Sequence, residues 1–156
     1  MDSIQFKEQT LRYLRNISDC MASLVLPAAD VPGLTLTGLL LLIELDRSPD
    51  GMHTVGSLGR RLHMASSNAS ALCKSLEKKG LITRKRSNKD ERVVHVLLTE
   101  NGLSLMQRME SDINERFGPT LQREPEENIE AILDGMGKLC ALLERMLAEG
   151  KEGNTL

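Results

Sequence analysis

A chain of 156 residues with 40% hydrophobic and 27% charged residues is long enough for one packed domain and too apolar to be disordered. Aromatic residues make up only 2%, so Leu, Ile, Val and Met must build the core. The net charge of -2 excludes a uniformly basic protein, yet residues 54 to 102 hold ten Lys/Arg against four Asp/Glu, a local excess of six positive charges. The acidic remainder conceals this basic middle, whose natural partner is a polyanion.

The three cysteines, Cys20, Cys73 and Cys140, are widely spaced and odd in number, with no CxxC pair and no histidine at ligand spacing. This argues against a disulfide framework and a structural zinc site, and no cofactor is expected. The longest apolar run is only residues 39 to 43, so no signal peptide or membrane span is indicated and a reducing cytoplasm is the expected location.

Residues 3 to 26 place Leu11, Leu14, Met21, Leu24 and Val25 at three- and four-residue steps, which predicts an amphipathic helix ending at Pro27. A second helix is expected after Thr35 or Thr37 and should stop at Pro49 to Gly51. Being apolar nearly all round, it should lie centrally. Thr54 can cap a short third helix carrying Val55, Leu58 and Leu62 on its buried stripe.

After a turn at residues 63 to 65, a fourth helix is predicted over 66 to 79, with Ala69, Leu72, Cys73 and Leu76 facing inward and Gly80 closing it. The period then changes from 3.6 to 2, predicting a hairpin over 81 to 98 with a charged loop at its tip. Thr99 can cap a fifth helix bearing Leu103, Met106, Met109, Ile113 and Phe117, which should stop at Gly118 and Pro119. The last segment repeats Ile129, Ile132, Met136, Leu139 or Cys140, Leu143 and Met146 or Leu147 in a coiled-coil-like rhythm.

Two helices joined by a turn and followed by a two-stranded wing make a winged helix-turn-helix, whose second helix fits the major groove of B-DNA. With its apolar face buried, the helix over 66 to 79 would present Ser66, Ser67, Asn68, Ser70, Ala71 and Lys74. Asn can pair with adenine, and Ser can contact bases or phosphate, although a Ser-rich helix start is also ordinary capping sequence. Beside it, Arg84, Lys85, Arg86, Lys89 and Arg92 place several cations on the wing, where an arginine can enter a narrow minor groove.

Within this region the segments Leu76-Glu77-Lys78-Lys79-Gly80-Leu81-Ile82, Asp90-Glu91-Arg92 and Leu98-Thr99-Glu100-Asn101-Gly102 resemble the MarR family of transcriptional regulators, small bacterial winged-helix dimers. The resemblance implies a mainly α fold with a small β-hairpin and long N- and C-terminal dimerisation helices. It implies a single domain over 1 to 156, a DNA-binding lobe over 34 to 100, and helical dimerisation regions at 1 to 28 and 101 to 149. Arg92 would reach DNA while Asp90 orients a nearby basic group. The expected function is repression by a homodimer on a near-palindromic double-stranded operator. Ala71 and Ser75 depart from the larger polar residues many relatives carry at mid-helix, leaving Lys74 as the one charge on the reading face.

The resemblance also implies two modes of control, since many such regulators release DNA when a small aromatic acid or phenol binds and some sense oxidants through a cysteine in the first helix. Met21, Leu24, Leu39, Ile43 and Met52 could line an effector cavity or be ordinary core. Cys20, one heptad after Tyr13, is the candidate oxidant sensor, although a lone helical cysteine is commonly a small buried hydrophobe. No nucleophile elbow, phosphate loop or HExxH is present, so an enzyme is not expected. A wing used only for protein contacts would be neutral, and this one is basic.

Overall fold

The computed structural model describes residues 2–87 and 93–152, the last three by backbone alone. Six helices and three strands follow in the order α1 (Ser3–Ala29), α2 (Leu36–Asp46), β1 (Met52–Thr54), α3 (Val55–Arg61), α4 (Ser66–Lys78), β2 (Ile82–Arg86), β3 (Val94–Leu98), α5 (Glu100–Leu121) and α6 (Glu126–Glu152). The chain divides into two units, residues 1–114 and 115–156.

In the first unit the expected central helix is central. Leu41, Leu42 and Leu45 of α2 are wholly buried, with Leu58 of α3, Cys73 and Leu76 of α4, Val96 of β3 and Leu105 of α5 packed in the same cluster. Each such leucine contributes roughly 1.5–3 kcal/mol by leaving water. Thr35 is the N-cap of α2, its Oγ1 accepting the Gly38 N–H at 3.1 Å, and Thr54 caps α3 by accepting the Ser57 N–H at 3.1 Å.

The wing has a third strand that alternation could not reveal, because β1 is only three residues long. It pairs antiparallel with β3 in the register Met52↔Leu97 to Thr54↔His95, on the edge opposite β2, whose register runs from Ile82↔Leu98 to Arg86↔Val94. The sheet order is therefore β1-β3-β2.

Two prolines fail to end helices as expected. Helix α1 continues through Pro27 because Ala29 is buried and Val25, Leu26 and Ala28 pack on the core, burial that offsets the lost N–H bond; left-handed Asp30 (φ 47°) then stops it. Helix α5 runs past Pro119 to Leu121, where the Gln122 N–H reaches the Gly118 carbonyl and Arg123 Nε donates to the Pro119 carbonyl at 2.9 Å.

The expected stripe of α5 packs on the core through Met106, Met109 and Ile113, but at its start Leu105 is buried while Leu103 is exposed. The cause is Gly102, whose missing Cβ would stand 2.2 Å from the Leu81 carbonyl oxygen. That close approach fixes the rotation of the helix, and 102, 105 and 109 turn inward together. Thr99 braces the same corner: its Oγ1 donates to the Gly80 carbonyl at 2.6 Å and accepts the Gly102 N–H at 3.1 Å.

Candidate nucleic-acid interface

The helix-turn-helix is closed by backbone bonds. The His63 N–H reaches the Arg60 carbonyl and the Met64 N–H the Gly59 carbonyl, with His63 itself left-handed at φ 51°. The chain then enters α4 through Ala65, an N-cap with no side-chain cap bond. The Ser-rich start is thus not spent on capping. The first N–H groups of α4 lack a side-chain acceptor, and a helix N-terminus in that state favours an anion.

The faces of α4 divide as the spacing requires. Ala69, Cys73 and Leu76 are buried, Leu72 and Ser70 half-buried, and Ser66, Ser67, Asn68, Ala71 and Lys74 exposed. The far end follows the expected glycine stop. Gly80, left-handed at φ 71°, donates its N–H to the Glu77 carbonyl, and Leu81 donates to the Leu76 carbonyl, a Schellman pair sealed by two buried leucines.

The basic middle sorts into two groups. Arg61 is held by Glu44 of α2, Lys79 by the Pro32 carbonyl and Arg84 by Glu77, so these three cations have structural partners. Arg60, Lys74, Lys78, Lys85 and Arg86 are exposed. Lys89, Asp90 and Arg92 lie outside the described residues. Arg84, expected among the wing's DNA contacts, lines a cleft of about 420 Å³ with Ser66 and Ser70 of α4, Thr54 and Gly56 at the start of α3, and Val93 and Val94.

Glu77 is the residue that sequence reasoning passed over. Its Oε1 accepts the Arg84 backbone N–H at 3.2 Å, Oε2 accepts Arg84 Nε at 2.8 Å, and Arg84 Nη2 stands 2.7 Å away. The hydrogen bond from Arg84 holds the Glu77 carboxyl below its ordinary value of 4.5, with partial desolvation opposing. A lowered carboxyl stabilises the fold above its unfolded value and loses that contribution as pH falls through the folded one. The Glu77–Arg84 contribution should therefore be present above the ordinary value of 4.5 and be lost progressively as pH falls below it, a course that acid titration of the wing amide signals can follow.

Burial pushes the Cys73 thiol up, with the Arg84 charge opposing and Glu77 reinforcing. It is an inert core thiol in the neutral form. An alkylating reagent should leave Cys73 unmodified in the native protein and label it only after unfolding; labelling of native Cys73 at the rate of exposed Cys20 would contradict its placement.

Cys20 is exposed on α1, as is Tyr13. Of the residues expected around an effector cavity, Leu39 and Ile43 line one of about 320 Å³ together with Val25, Met106, Met109 and Ile113, under a rim that includes Asp46, Arg47 and Glu110. Met21, Leu24 and Met52 are not part of its lining and are partly exposed, at 44%, 41% and 36%. Among the described residues no group of acidic, His or Cys side chains could hold a metal, and no helix is long and apolar enough to cross a membrane.

A helix-turn-helix whose second helix starts on a polar, uncapped turn, followed by an antiparallel hairpin with exposed cations, is the winged-helix arrangement. The family model for the transcriptional regulators SarA/Rot matches residues 24–109, more than half of the sequence, and the chain belongs to that family. It is 44% identical over 55 residues to the organic hydroperoxide resistance transcriptional regulator of Bacillus subtilis, covering 35% of this chain and 37% of that one. The match spans about a third to a half of the length of the curated relatives.

The fold is that of the MarR regulators. AbsC, a MarR family transcriptional regulator from Streptomyces coelicolor, superposes with a TM-score of 0.71 at 19% identity, over 92% of this chain and 96% of that one. The Staphylococcus aureus MepR–DNA complex superposes with a TM-score of 0.69 at 24% identity, over 85% and 96%. These relatives are regulators, not enzymes.

Proposed function

We propose that the chain is a sequence-specific double-stranded DNA-binding repressor that acts as a homodimer on a pseudo-palindromic operator. The observation that carries this reading is the reading face of α4. Ser66, Ser67 and Asn68 are exposed, its N-terminus is uncapped, and Lys85 and Arg86 stand exposed on the adjacent strand. Ser66, Ser67, Asn68, Ser70, Ala71 and Lys74 enter the major groove, while Lys85, Arg86, Lys89 and Arg92 contact phosphate or minor groove and Asp90 orients its basic neighbours. The similarly folded MepR, solved as a DNA complex, supports DNA as the partner.

Dimerisation is supported by apolar surface. Helix α1 exposes Ile4, Leu11, Leu14, Ile17, Met21 and Leu24, and α6 exposes Ile132, Leu133, Met136, Met146 and Leu147, more than isolated chains usually leave to water. A two-fold dimer presents two recognition helices about 10 bp apart, which is why a near-palindrome is expected. The cavity between α2 and α5 supports release by a small, largely apolar effector, and exposed Cys20, with the hydroperoxide-resistance relative, supports release by oxidation.

The test is affinity for a selected duplex across salt. With Lys74, Lys85, Arg86, Lys89 and Arg92 each neutralising a phosphate, log K should fall with log salt at a slope of about -4 to -5 per chain. Asn68→Ala should leave that slope unchanged while lowering discrimination at one adenine about tenfold or more. Salt-independent binding would contradict the reading.

A further inference from the structure

We infer that Glu77 is a positioning residue for DNA binding: by clasping Arg84 it sets the angle at which the wing leaves the recognition helix. The inference rests on the proposed DNA-binding reading and adds a group that never touches DNA.

The clasp has two points of attachment. One Glu77 oxygen takes the backbone N–H of Arg84, the other its guanidinium, so the strand itself is tied as well as the side chain. A carboxylate gripping both fixes the rotation of β2 about its axis. The side chains of Glu77 and Arg84 are 35% and 25% exposed, so solvent screens part of their attraction and the paired hydrogen bonds, rather than charge alone, fix the geometry.

Glu77 also stands on the stripe of α4 that carries Ser66 and Ser70, eleven and seven residues earlier, and Arg84 lines the same cleft as those two serines. One end of the stripe faces the nucleic acid and the other holds the wing. Lys85 and Arg86 follow Arg84 directly and are exposed, so their direction is inherited from the clasp. Cys73, wholly buried one turn before Glu77, anchors the helix beneath it.

Simple electrostatics gives the opposite expectation, which makes the inference testable. Removing a carboxylate from a cationic surface should tighten DNA binding and release Arg84 to a phosphate, steepening the salt slope by about one. If Glu77 positions the wing, Glu77→Ala instead weakens binding about tenfold with the wild-type slope. Glu77→Gln, which keeps an acceptor for the backbone N–H, should fall between them.

Arg84→Ala is the second variant. Positioning requires weaker binding at unchanged slope, whereas a direct phosphate contact requires a slope shallower by about one. The measurement is fluorescence-anisotropy titration of the full chain with the duplex wild type selects from a random pool, from 0.05 to 0.4 M salt, well below each variant's melting temperature. Tighter binding by Glu77→Ala, unchanged affinity in both glutamate variants, or a shallower slope for Arg84→Ala overturns the positioning role while leaving wild-type DNA binding intact. Absence of duplex binding by wild type overturns the functional reading and this inference with it.

Discussion

Replacing Lys85 and Arg86 together with alanine is expected to weaken binding to the selected duplex about 30-fold at 0.15 M salt, and to make the salt slope shallower by about two. The magnitude follows from counterion release. Each phosphate contact releases about 0.9 of a condensed ion, so its loss costs roughly fivefold at this salt, and the two positions act independently. Both side chains are exposed at the end of β2 and contribute nothing to the core, so the fold should be undisturbed. Direction matters as much as size. Arg84, adjacent in sequence, is paired with Glu77 and should not change the slope when removed. A double variant that loses affinity at constant slope would show that the wing acts through shape alone.

Gly102→Ala is expected to destabilise the chain by about 3 kcal/mol and lower its melting temperature by about 10 °C. A methyl group at this position would stand 2.2 Å from the Leu81 carbonyl oxygen and 3.1 Å from Leu98 Cδ2, so backbone must move. The movement would disturb Thr99 as well, whose hydroxyl links Gly80, just past the end of α4, to the start of α5. Leu105 and Met109, both buried through the rotation this corner fixes, would lose packing. Thermal unfolding followed by circular dichroism measures the effect, and a melting temperature within about 2 °C of wild type would show that the corner yields easily.

The elements that periodicity can report were legible in the sequence. The α4 face, its glycine stop, the threonine caps of α2 and α3 and the β2–β3 hairpin all follow from local rules of spacing and capping, and the structure reproduces them. What escaped was decided by tertiary contact. Strand β1 exists because β3 has a free edge, Leu105 rather than Leu103 turns inward because the Leu81 carbonyl is pressed against Gly102, and α1 outlasts Pro27 because Ala29 is buried.

The candidate site divides in the same way. Exposed serines and Asn68 could be placed from the apolar stripe opposite them, whereas a basic run does not reveal which of its members already has a partner. Arg84, Lys85 and Arg86 look alike in sequence. Only the pairing of β2 beside α4 brings the first to Glu77, while Lys85, on the other face, and Arg86, at the end of the strand, stay exposed.

If α4 reads bases while the wing holds the backbone, in two copies related by a two-fold axis, selection of bound duplexes from a random pool recovers symmetry and spacing together. The expected result is a near-palindrome with half-sites about 10 bp apart. Recovery of no enriched motif, or of a single unpaired half-site, would contradict it.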